Sequence, residues 1–155
     1  MSHTNSADAL IEQLQLNAHP EGGWFKETWR AGADSSGRAR GTAIVFLLKA
    51  GEASHWHRVD ADEMWIWQGG DPLDLAIADD DAGPVRIVRL GGDAMGGENL
   101  QGLVPKHAWQ AARPAADGDG AAGYTLVSCI VVPGFEFTGF ELAAPDWAPG
   151  KETVR

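Results

Sequence analysis

His55 and His57 stand on either side of Trp56 in "SHWHRVDADEMWIWQGG", residues 54–70, and Glu63 follows a turn-like "RVDAD". Two imidazoles and a carboxylate can move protons near neutral pH, with the carboxylate orienting a histidine. The same three groups also make a two-histidine, one-carboxylate set that suits a divalent, iron-like metal. A third reading is a polar cluster hydrogen-bonded inside a barrel mouth. In an extended strand, alternate residues point to the same face. His55 and His57 are therefore expected to project together, and Glu63, Trp65 and Trp67 to share a face of the next strand. His57 and Glu63 are the expected catalytic pair. His55, Trp65 and Trp67 are expected to bind ligand, the flat rings lining the mouth where they can hold a sugar or an aromatic group.

Strands must position such a set, and the chain is patterned for strands. "SADALIEQLQL" spaces Ala7, Leu10, Ile11 and Leu14 at helical intervals, which predicts one helix around Ala7 to Leu16. "HPEGG" breaks it. After that, short apolar or alternating runs such as "GTAIVFLLKAG", "SHWHRV", "LDLAIAD" and "YTLVSCIVVP" are separated by clusters rich in glycine, proline and aspartate. A chain that turns back this often is an all-β sandwich or barrel. "AADGDGAAG" reads as a hairpin tip, because strand patterning resumes directly after it.

The length of 155 residues suits one domain, taken as 1–155 with its core at about 19–142. A formal net charge of −10 repels phosphate backbones and argues against a nucleic-acid partner. No run is long and apolar enough to span a membrane, and the N-terminus lacks the basic start of a signal peptide, so a cytoplasmic protein is expected. Cys129, the single cysteine, sits in "YTLVSCIVV" and reads as a buried structural thiol.

Gly51, His55, His57, Glu63 and Gly70 are spaced in a way that closely resembles the first motif of the cupin superfamily. "LVPKHAWQ" resembles the second motif. Aligned on Pro105, His107 stands where that motif has glycine, and Gln110 where it has its third metal-binding histidine. "HPEGGWFKETWR" and "EMWIWQGGDPLDL" resemble a family of short single-domain cupins known as a domain of unknown function, similar in fold to dTDP-sugar epimerases of the RmlC type. The resemblance implies an antiparallel double-sheet jelly roll. If a divalent metal is bound, it implies His55, His57, Glu63 and Gln110 as ligands, since an amide oxygen can ligate. Otherwise Gln110 hydrogen-bonds a ligand. Glu27, in the family stretch, is a candidate for the pocket. Arg113, three residues after Gln110, is the candidate cation for an anionic ligand. Trp109 should face away from Gln110, and His107 should be solvated.

Three functions stay open at this level: an epimerase or isomerase acting on a small carbohydrate-like substrate, a metal-dependent oxygenase or isomerase, and a non-catalytic small-molecule binder. A homodimer is expected, because cupins commonly cover a sheet edge with a partner's N-terminal strand, with Trp24, Phe25 and Trp29 as apolar bulk.

Overall fold

The computed structural model describes residues 6–115 and 121–151. His3 and most of the "AADGDGAAG" stretch lie outside the described residues. Helix α1 (Ser6–Leu14) turns Ala7, Leu10, Ile11 and Leu14 onto Leu47 and Trp24. It ends earlier than the spacing predicts, because Gln15 adopts a left-handed φ of 57°. The Leu16 amide then bonds Ile11 O at 2.9 Å and the Gln15 amide bonds Glu12 O at 3.2 Å, the paired bonds of a Schellman stop.

Eleven strands follow among the described residues: β1 (Asn17–Ala18), β2 (Trp24–Arg30), β3 (Thr42–Lys49), β4 (Ser54–Val59), β5 (Asp62–Gly70), β6 (Leu73–Ala78), β7 (Arg86–Leu90), β8 (Gln101–Val104), β9 (Trp109–Pro114), β10 (Tyr124–Val132) and β11 (Phe140–Leu142). One antiparallel sheet runs β1-β2-β3-β10-β5-β8, the other β11-β4-β9-β6-β7. From β3 to β6 the chain changes sheet at every strand, and from β7 to β10 it does so again, the connectivity of a jelly roll. "FEFTGFELA", which reads as one strand, is instead a short 3₁₀ turn (Phe137–Gly139) followed by β11. No described helix is long and apolar enough to cross a membrane.

Inward residues of both sheets, among them Phe46, Trp65, Leu75, Ile77, Leu90 and Val127, form the main core. That core fills much of the space between the sheets and leaves a cavity beside β2, β3, β4 and the start of β5. Trp109 faces out, as its alternation with Gln110 requires. Trp147 of the C-terminal segment packs on it at 4.5 Å between ring centroids.

His107 is exposed and has a φ of 69°, the left-handed conformation that the motif's glycine would adopt freely. A side chain there costs on the order of 1 kcal/mol. His107→Gly should therefore raise stability by about 0.5–1 kcal/mol, after the entropy gained by the unfolded chain is offset. Urea unfolding checks this, and a lower midpoint would contradict it.

Candidate functional site

The cavity has a volume of about 390 Å³. Phe25, Ile44, Val59, Val131, Phe135 and Phe137 make its apolar wall, and His19, Glu21, His57 and Glu63 supply its deepest polar groups. Two of these four, His19 and Glu21, come from "HPEGG", which reads in the sequence only as a helix breaker.

Those residues form the loop between β1 and β2, closed by the His19 amide on Gly23 O and the Gly22 amide on His19 O. Gly22 has a φ of 107°, and a Cβ on it would lie 2.3 Å from Ala53 O. Only glycine lets the loop sit this tightly on the chain before β4, where the His55 amide bonds Glu21 O at 2.8 Å. Glu21 is thereby driven inward, where its carboxyl group accepts from the Ser54 hydroxyl. One carboxyl oxygen lies 3.2 Å from His19 Nδ1, the other 3.3 Å from His57 Nε2.

His57 is 2% exposed and has its tautomer set by the backbone. Nδ1 lies 2.7 Å from His55 O, and because a carbonyl only accepts, Nδ1 carries the hydrogen. In neutral imidazole, Nε2 then holds a lone pair toward Glu21. His19 has the opposite tautomer. Its Nδ1 accepts the Glu21 backbone N–H at 3.1 Å, so Nε2 carries the hydrogen.

His55 does not share this face, contrary to the strand alternation. Ser54 pairs with Ala112 and His57 with Gln110, so β4 carries one residue more than β9 between the two pairs. That bulge puts Ser54 and His57 inward together and turns the His55 ring away. Its Nε2 bonds Ala144 O at 2.8 Å. His55 lines a second depression, of about 380 Å³, together with Arg113, Ala76 and Ile87 on the outer side of the five-stranded sheet. Arg113 therefore does not reach the cavity as expected.

Glu63, Trp65 and Trp67 do share a face, but the cavity reaches only the first. Trp65 is buried in the core, 5.9 Å from Phe46 between centroids, and Trp67 packs against that core and donates to Asp71 O at 3.0 Å. Neither ring lines the cavity. Gln110 is buried beneath it. Its Oε1 accepts the Trp65 indole N–H at 2.8 Å, and its Nε2 donates to Glu63 Oε1 at 2.8 Å. Indole is a donor only, which fixes this orientation of the amide. Glu27 does line the cavity, at the rim, where Arg30 bonds both of its carboxylate oxygens at 2.7 and 3.0 Å.

Burial perturbs the four polar groups. Glu21 is pushed up to about 8 by burial, against the Ser54 hydrogen bond. Glu63 is raised to about 7 by burial, with the charge of His57 and bonds from Gln110 and Cys129 opposing the rise. Burial, and then the nearness of His57, lower His19 to about 4. Burial also lowers His57, with Glu63 opposing. At neutral pH the protonated Glu21 carboxyl has one hydrogen to give, directed to the Nε2 lone pair of His57, while its other oxygen only lies near His19 Nδ1, so neither contact is an ion pair. Cys129 is buried, its thiol held protonated by burial, and it donates to Glu63.

Residues 8–143 match the family model described as Cupin superfamily (DUF985). The chain belongs to this family. A hypothetical protein from Leishmania major is 41% identical and superposes with a TM-score of 0.78 over 87% of this chain and 85% of that one. Protein SO0799 from Shewanella oneidensis is 38% identical, with a TM-score of 0.80 over 89% and 84%. The uncharacterised protein YML079W of Saccharomyces cerevisiae is 29% identical over 86% of this chain and 73% of its own.

The metal that a cupin of the usual ligand pattern would carry does not fit these residues. The bulge removes His55, and Trp65 occupies the Gln110 oxygen, so His57 and Glu63 alone of the expected ligands face the cavity. Glu21 lies between the His57 and His19 imidazoles. Among the described residues, no three His, Cys, Asp or Glu side chains are arranged to hold an ion.

Proposed function

We propose that this cupin binds a small carbohydrate-like carbonyl compound in the cavity and moves a proton on it, as an epimerase or isomerase does. The observation that carries the reading is the pairing of the open Nε2 of His57 with the protonated carboxyl of Glu21, 3.3 Å apart inside a largely apolar cavity. Paired groups with raised and lowered proton affinities are suited to acid/base work at neutral pH. Glu63, raised to about 7, is ionised in part there. As carboxylate it accepts a proton from the carbon beside the carbonyl. Glu21 gives its proton to the carbonyl oxygen, so the intermediate is a neutral enol with Glu63 protonated and Glu21 a carboxylate, and His57 beside Glu21 stabilises that carboxylate. The reverse transfer onto the neighbouring atom, or the other face of the same carbon, completes the reaction with no net change in protons. Catalytic roles thus fall to His57 and Glu63, as the sequence suggests, with Glu21 added.

The test is incubation with a panel of neutral and phosphorylated keto sugars in deuterated water. Deuterium should enter beside the carbonyl of at least one of them, and the rate should be enzyme-dependent. A compound that binds the cavity without exchange would make the chain a binder instead.

We also propose a homodimer. Among the described residues, β2 from Lys26 onward has no neighbour on its outer side, and Trp29 beside that edge is 52% exposed. Trp24 and Phe25 are not available to such a contact, since Trp24 packs under α1 and Phe25 lines the cavity. Sedimentation at twice the chain mass is expected, and a monomer at micromolar concentration would refute it.

A further inference from the structure

We propose that the cavity selects an uncharged ligand, one of whose oxygens accepts a hydrogen bond from Nε2–H of His19, and that it rejects phosphorylated and carboxylated compounds. This rests on the reading of the cavity as a ligand site.

The first observation is a donor turned to the cavity and not used by the protein. His19 is enclosed by rings, with Phe25 at 4.5 Å and Phe140 at 5.9 Å between centroids, and its side chain is 4% exposed. Its Nδ1 is taken by the Glu21 backbone, which leaves the hydrogen on Nε2. Among the described residues Nε2 has no hydrogen-bond partner, and the ring lines the cavity. A ligand oxygen that replaces water there and meets this donor gains one hydrogen bond, worth about three- to tenfold in affinity. Because the ring stays neutral down to about pH 4, it offers one hydrogen bond and no charge.

The second observation is the balance of charge. Four carboxyl groups line the cavity, of which Glu21 is protonated at neutral pH and Glu63 partly so; Glu27 and Glu136 remain against one fixed cation among the described lining residues, Arg30. That guanidinium is already committed to both oxygens of Glu27 and to Phe135 O at 3.2 Å. Among the described residues, no side chain balances a phosphate at the rim, where Glu136 would oppose it. An oxygen of a neutral sugar meets His19 without this repulsion.

The experiment measures binding of D-fructose and D-fructose 6-phosphate to the wild-type chain by ligand-observed NMR, together with long-range proton–nitrogen spectra of the histidines. Fructose should bind, and the phosphate should bind at least about tenfold more weakly, since like charges brought together repel. The free protein should show His19 as the Nε2–H tautomer, with that nitrogen shifting when fructose is added. In His19→Phe, affinity for fructose should fall about three- to tenfold, the loss of one hydrogen bond. Equal or tighter binding of the phosphate, a His19 resonance that ignores bound fructose, the Nδ1–H tautomer, or binding of neither sugar would each overturn the inference. Deuterium exchange into a phosphorylated ketose would sink it too, while leaving the proton-transfer reading intact.

Discussion

Glu21→Gln should lower the rate of deuterium exchange by about 10²–10⁴-fold, the usual worth of a positioned acid or base. It should also make the protein more stable at alkaline pH. Both effects come from the same buried proton. The amide copies the shape of the protonated carboxyl and can still accept from Ser54, but it cannot give a proton up.

The sign of the stability effect follows from the shifts. Glu21 and Glu63 hold their protons to about pH 8 and about pH 7 in the folded chain, against 4.5 when unfolded. Between those values the native state binds more protons than the unfolded state, so these acids make stability fall as pH rises. His19 acts the other way, losing stability as pH drops from 6.5 toward about 4, and His57 shares that direction. The imidazoles offset the acids at mildly acidic pH. Above pH 6.5 the acids act alone, and the wild-type chain should lose about 2 kcal/mol by pH 8. Glu21→Gln should lose distinctly less, its advantage shrinking toward pH 4.5. Denaturant melts across this range check it. A wild type that gains stability from pH 6.5 to 8, or a variant weaker than wild type at pH 8, would contradict the account.

Gln110→Leu should destabilise the fold by about 2–4 kcal/mol, with no change in the denaturant slope. The substitution leaves the Trp65 indole N–H buried without an acceptor and removes the Gln110 donor from Glu63. Gln110→Glu is the informative companion. It keeps an oxygen for the indole but sets a second carboxyl against Glu63, so the two should hold one proton between them. A Leu variant with near-wild-type stability would show that the amide does not join the two strands as described.

The fold was legible because its signals are local and repeated. Ala7, Leu10, Ile11 and Leu14 mark a helix by period, and the alternation of β6 and β10 marks half-buried strands. The site was legible only in part. His57 and Glu63 point where strand alternation puts them, but one extra residue in β4 reverses His55, and nothing in "SHWHRV" announces a bulge. Trp65 and Trp67 have the expected face. How far a cavity extends along that face depends on the volumes packed against it, here Phe46 of the same sheet and the β6 side chains of the other, and no single strand records this. The larger omission was His19 and Glu21. "HPEGG" carries a clear turn signal in its paired glycines, and that signal hid the chemistry beside it. A histidine and a glutamate two residues apart, ahead of glycines that allow close backbone approach, was the available hint.

The most direct test of the central claim is an NMR titration of the unliganded protein, following the Glu21 and Glu63 carboxyl carbons with the ring nitrogens of His57. Glu21 should titrate near pH 8 and Glu63 near pH 7. His57 should remain the neutral Nδ1–H tautomer below its ordinary value of 6.5. If Glu21 instead titrates near 4.5 and His57 is an imidazolium at neutral pH, the two form a fixed ion pair, and the cavity holds no proton to move.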